Sequence, residues 1–135
     1  MKIWNETIEG QDRDELSQLQ LERLQATLNR AYKNVSFYHN CLGEACMDPS
    51  SVRSLDDLRR LPLTSREDLG QNYPYGMFAV PLRDIVRIHT ATGTGNNPTV
   101  SGYTQNDLAM WTEMVARCLT AAGVGVDDII QVCFD

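Results

Sequence analysis

Apolar residues at Leu21, Leu24, Leu28, Ala31/Tyr32 and Val35 recur at the spacing of one helical face, which predicts an amphipathic helix over residues 14–33. Asp12, Asp14 and Glu15 stand at its positive end, with Arg30 and Lys33 near the other, as the helix dipole favours. Phe37 and Tyr38 extend the apolar pattern and read as core. A short second helix over residues 36–45 ends before the Asp48-Pro49 turn. Two capping boxes follow. Ser54-Leu55-Asp56-Asp57 opens a short helix that Pro62 stops, and Thr64-Ser65-Arg66-Glu67 opens another running to about Gln71. Asn72-Tyr73-Pro74-Tyr75-Gly76 is an aromatic turn, either packed or lining a pocket.

After Pro81 the pattern changes from helical to alternating. Residues 84–89 and 99–103 read as strands on either side of a Gly/Thr-rich loop. Thr104-Gln105-Asn106-Asp107 is a third capping box, and Leu108, Trp111, Val115, Cys118/Leu119 and Ala122 form the apolar stripe of the helix it opens, with Gly123 as its stop. Residues 128–134 read as a buried strand. Strand, helix and strand then suit a right-handed crossover in a parallel sheet. The expected fold class is α/β: a mainly helical segment, 1–82, followed by the start of an α/β nucleotide-binding subdomain, 83–135. A chain stopping at Asp135, directly after an apolar strand, predicts one truncated domain, whose uncovered last strand invites edge pairing and a homodimer.

Composition narrows the functional classes. The 135 residues are 42% hydrophobic and 22% charged, in the range of a soluble globular domain. A net charge of −6 opposes nonspecific binding to nucleic acid or anionic membranes. No signal-peptide pattern or apolar run of membrane-spanning length is present, so a cytoplasmic protein is expected. Cys41, Cys46, Cys118 and Cys133 form no C-x-x-C pair, and His39 and His89 lie far apart, so reduced thiols and no metal site are expected. Cys118 and Cys133, in apolar segments, are expected to be buried.

The candidate chemistry lies in His89-Thr90-Ala91-Thr92-Gly93-Thr94-Gly95-Asn96-Asn97-Pro98-Thr99-Val100. Glycines let successive backbone N–H groups turn toward one anion, and threonine hydroxyls add donors without bulk. The same composition also suits a plain hairpin connection. A Walker A loop is excluded because no lysine follows the glycines and the next residues read as a strand; a helix starting at Asn96 would revive it. A dinucleotide fingerprint fails because Pro98 stands where its third glycine belongs. His89, at a strand end, is either a packed structural residue or close to substrate.

With these pieces placed, the sequence resembles the phenylacetate-CoA ligase family of adenylate-forming enzymes. Leu61-Pro62-Leu63-Thr64-Ser65-Arg66-Glu67-Asp68-Leu69 and Asn72-Tyr73-Pro74-Tyr75-Gly76-Met77-Phe78-Ala79-Val80-Pro81 are similar to that family's L-P-F-T-T-K-E-D-L and N-Y-P-F-G-x-F-A-V-P segments. The register continues without a gap through Ile85-Val86-Arg87-Ile88-His89, the loop, Gly102-Tyr103-Thr104 and Asp107-Leu108. The resemblance implies the N-terminal part of a ligase that joins a small aryl carboxylic acid to coenzyme A, using ATP and Mg²⁺, through an acyl-adenylate. It implies that Ala91, Thr92, Gly93, Thr94, Gly95, Asn96, Asn97, Pro98 and Thr99 hold the β- and γ-phosphates of ATP. It identifies no catalytic residue in this chain, and Tyr73, Tyr75 and Phe78 are candidates for the acid pocket.

The loop departs from the family's usual S-S-G-T-T-G-K-P-T. Ala91 replaces a serine, Gly95 a threonine, Asn96 a glycine and Asn97 the lysine, removing two hydroxyls and one positive charge. The isolated chain is expected to be inactive because it offers no adenine pocket, no identifiable magnesium-binding acid and no C-terminal region, and the altered loop leaves two functions open: part of a working ligase, or a noncatalytic nucleotide-binding or interaction module derived from one.

Overall fold

A computed structural model describes residues 2–91 and 98–133. They fall into two compact units, residues 12–105 and residues 1–11 with 106–135. The larger unit begins with α2 (Arg13–Asn34), after the one-turn helix α1 (Glu6–Glu9) of the smaller. Asp12 caps α2, its carboxylate accepting from the backbone N–H of Asp14 at 2.9 Å and of Glu15 at 2.8 Å. The leucine stripe packs as its spacing predicts: Leu24, Leu28 and Tyr32 lie against a core of Leu42, Met47 and Val52. Leu42 comes from α3 (Ser36–Glu44), and Val52 is additionally fixed through its carbonyl, which accepts from the Gln25 side chain at 2.8 Å. Phe37 and Tyr38 pack edge-on at 5.1 Å, and Tyr32 stacks on His39 at 4.5 Å.

Helix α3 ends in a Schellman turn. Met47 N–H donates to the Leu42 carbonyl and Cys46 N–H to that of Gly43, which puts Cys46 at φ 51°, a left-handed conformation glycine adopts more cheaply. Ser54 opens a 3-10 turn over Leu55–Arg60, the Asp57 carboxylate accepting from the Ser54 N–H at 3.0 Å. At α4 (Arg66–Gln71) the cap sits one residue later than Thr64 and Glu67 suggest. Ser65 and Asp68 form the reciprocal pair, Ser65 N–H to Asp68 at 2.7 Å and Asp68 N–H to the Ser65 hydroxyl at 3.2 Å.

Strands β1 (Ile85–Ala91) and β2 (Thr99–Thr104) pair antiparallel, and α5 (Gln105–Ala121) follows β2 at once. In the smaller unit Gly123, at φ 95°, ends α5 in a second Schellman turn: Val124 N–H donates to Leu119 and Gly123 N–H to Thr120.

Two expectations are corrected here. Described residues 129–133 form no strand and are exposed, so no parallel crossover follows α5; β1 and β2 are the only strands among the described residues. A strand exists only with a partner to take its ladder bonds, and an apolar run does not supply one. Cys118 and Cys133 are exposed rather than buried, although all four cysteines are free thiols. The α5 stripe is likewise open, with Trp111 and Val115 each more than two-fifths exposed.

The smaller unit is tied by one carboxylate. Glu113 of α5 accepts from the Trp4 indole N–H at 2.9 Å, the Asn5 side-chain amide at 2.9 Å and the Arg117 guanidinium at 3.0 Å. These donors, Trp4 foremost, hold its carboxyl below the ordinary 4.5. A depressed folded-state pKa stabilises the folded state above the unfolded value, and that contribution disappears as pH falls through the folded value. Urea unfolding is accordingly expected to show Glu113→Gln less stable than wild type at pH 7, the difference shrinking below pH 4.5. An equal difference at both pH values would contradict the charged tie.

Candidate nucleotide-binding site

The Gly/Thr loop joins two strands of one hairpin, as the sequence predicts. Its ladder runs Arg87 with Tyr103, Ile88 with Gly102, His89 with Ser101, Thr90 with Val100 and Ala91 with Thr99. Ala91 and Thr99, the outermost residues of the predicted phosphate site, are thus opposite each other as its last pair. Pro98 is half-buried and directly precedes β2. Thr92, Gly93, Thr94, Gly95, Asn96 and Asn97 lie outside the described residues.

The hairpin's two faces differ, because strand side chains alternate. On one face the aromatic turn packs against the ladder. A Cβ at Gly102 would lie 2.6 Å from Phe78 Cε2, 2.7 Å from Phe78 Cζ and 3.1 Å from Ile85 Cδ1. Tyr75 leans on Phe78 with ring centroids 5.3 Å apart. The aromatic turn is itself held close, since a Cβ at Gly76 would sit 2.8 Å from the Asn72 carbonyl oxygen. Phe78 is therefore packed on the hairpin, whereas Tyr73 and Tyr75 remain 46% and 43% exposed, with surface available to a ligand.

Gly102 enters the sequence analysis only through the family register, yet a glycine inside a strand is itself a sign of close approach. Gly102→Ala is expected to push Phe78 off the hairpin at a cost of about 1–3 kcal/mol, read by thermal or denaturant unfolding. Wild-type stability for this variant would show that the ring yields freely.

On the opposite face His89 meets Tyr103 edge-on, ring centroids 5.1 Å apart at 61°. His89 is nonetheless exposed, on the face that also carries Ala91 and Thr99, so the contact is compatible with both roles given to it above. For Mg²⁺ the residues present do not fit a protein-built cage, since no three His, Cys, Asp or Glu side chains converge among the described residues.

No family profile matches the chain. Individual relatives do. It is 47% identical over 127 residues to the phenylacetate-coenzyme A ligase of Escherichia coli (strain K12), covering 94% of this chain and 29% of that protein. The enzyme of the same name from Thermus thermophilus is 45% identical over 121 residues, 90% of this chain and 27% of its own length. The chain thus spans between a quarter and a third of the curated relatives it matches. Among solved structures, 2-hydroxyisobutyryl-CoA ligase in complex with 2-HIB-AMP and CoA superposes with a TM-score of 0.76 at 28% identity, over 84% of this chain and 25% of that one. A second structure of that ligase, in the postadenylation state with R3-HIB-AMP, gives 0.72. The likeness read from the 61–82 segments and the loop is borne out along nearly the whole chain. In sequence this chain is similar to part of the phenylacetate-CoA ligases, and in fold to part of the solved CoA ligase.

Proposed function

We propose that this chain is the N-terminal part of an ATP-dependent arylacetate-CoA ligase that converts an aryl acid, ATP and coenzyme A into a thioester, AMP and pyrophosphate. The observation carrying this reading is a phosphate-loop sequence mounted between paired strands, within a chain 47% identical to a phenylacetate-CoA ligase. Residues 83–135 are read as the opening of the nucleotide-binding subdomain and residues 1–82 as the helical segment before it. In this reading residues Ala91 to Thr99 hold the β- and γ-phosphates, with Ala91 and Thr99 fixing the mouth of the loop. Backbone N–H groups and the hydroxyls of Thr92, Thr94 and Thr99 are the available donors, and donors fixed before reaction stabilise charge moving onto the pyrophosphate.

The full-length protein, given ATP, coenzyme A and phenylacetate, is expected to release AMP and form the thioester. No AMP from phenylacetate or from a panel of other aryl acids would overturn the proposal. A second reading, a noncatalytic nucleotide-binding or interaction module, is favoured by Asn97 in the lysine position and Ala91 and Gly95 in hydroxyl positions. The same assay separates the two.

The proposal extends to a cytoplasmic protein acting on a small aryl carboxylic acid, without nucleic acid or membrane as partner. Among the described residues no helix is long and apolar enough to cross a membrane. It extends also to a homodimer, supported by the exposed apolar side chains of Ile129 and Val132. Sedimentation velocity that finds only monomer at all concentrations would remove that part.

A further inference from the structure

Leu63 is 93% exposed, although it directly follows Leu61 and Pro62, which line a solvent-open cleft of about 260 Å³ in the larger unit. Leu24 and Leu28 of α2 and Tyr38 of α3 form further walls of the cleft, with Thr27 exposed among them. Thr64, the residue after Leu63, shares a hydrogen bond with the Tyr38 hydroxyl at 3.2 Å. Leu63 is therefore held at the rim, between a proline that lines the cleft and a threonine tied to its wall. An isobutyl group in water beside an apolar cleft that it does not fill is a knob next to a hole.

Knob and hole side by side on one surface are complementary to a second copy of the same surface. Across a two-fold axis each copy's knob enters the other's hole, and both apolar features leave water together. The charge pattern agrees. The 3-10 turn Leu55–Arg60, just before the knob, carries Asp56, Asp57, Arg59 and Arg60, neutral in sum within a chain of net charge −6. Asp56 and Arg59 meet only at 3.9 Å and both side chains are more than four-fifths exposed, so each is available to the opposite charge of a facing copy. Elsewhere two copies with this acidic balance repel each other. Leu58, 55% exposed on the same turn, adds apolar surface to the rim.

We propose that Leu63 and the cleft beside it form the two-fold interface of a homodimer, with Leu63 of each copy seated in the cleft of the other. The inference rests on the homodimer reading above and places the interface in the larger unit rather than at Ile129 and Val132.

The test uses two variants of the full-length protein in sedimentation velocity: Leu63→Glu, which alters the knob, and Thr27→Lys, which alters the hole. Each alone is expected to weaken dimerisation at least about a hundredfold, because every dimer then holds two unpaired charges against apolar walls. Leu63→Ala, which removes the knob without adding charge, is expected to weaken it about tenfold. An equimolar mixture of the two charged variants is expected to recover dimer. In the mixed pair the new carboxylate meets the new ammonium at one contact, while the other contact keeps Leu63 and Thr27. Dimerisation of Leu63→Glu at wild-type strength overturns the inference, and a mixture that stays monomeric does the same. An unchanged dimer with a lowered melting temperature in Leu63→Glu also overturns it, by assigning the cleft to another segment of the parent protein. Loss of dimer in Val132→Glu but not in Leu63→Glu moves the interface to residues 129–133 and overturns the inference while keeping the homodimer. Wild type that is monomeric at all concentrations overturns both. Leu63 and Thr27 are exposed, so unchanged circular dichroism checks that the variants are folded.

Discussion

In the full-length protein, Asn97→Lys is expected to tighten ATP binding by about tenfold to a hundredfold. The family resemblance assigns position 97 to a lysine at the β- and γ-phosphates, and asparagine offers a neutral amide in its place. A hydrogen bond to a charged group contributes about 1.5–3 kcal/mol, which sets the range. Calorimetry with ATP reads the result. An unchanged affinity, together with absent AMP formation, favours a module that keeps the fold without the chemistry.

Leu42→Ala is expected to destabilise the larger unit by about 2–5 kcal/mol, enough to consume much of a small domain's stability. Leu42 is 1% exposed and sits between Met47 and Val52, with Leu24, Leu28 and Leu61 around them. A solvent-open cleft of about 260 Å³ adjoins it, lined in part by Leu28, Tyr38 and Pro62. Removing the isobutyl group deletes its buried contacts and leaves space that the neighbouring side chains fill only in part. Denaturant unfolding should show a lower midpoint with an unchanged slope. A loss below about 1 kcal/mol would mean that the surrounding leucines close the gap.

What the sequence made legible was what is decided within a few residues. Asp12 before α2, Ser54 with Asp57, and Gly123 after α5 each announce an element end through one local hydrogen bond or one backbone angle, and each is found there. The hairpin was readable because alternation and a turn-rich loop coincide. The cap of α4 slid by one residue because Thr64–Glu67 and Ser65–Asp68 carry the same chemistry in adjacent registers, so spacing alone does not choose between them. Residues 128–134 were misread for a different reason: their apolar run shows what a strand would bury but not which chain would pair with it. The packing of Phe78 on Gly102 joins positions 24 residues apart, beyond any periodic pattern. For the site, the motif placed the loop correctly between strands, whereas the contact of His89 with Tyr103 depends on a cross-strand register that spacing alone does not set.

The ladder that closes on the pair of Ala91 and Thr99 and the Phe78 contact fasten the hairpin without help from any ligand, so selection for a stable fold alone would hold on to Gly102 and Phe78 whatever the parent protein binds.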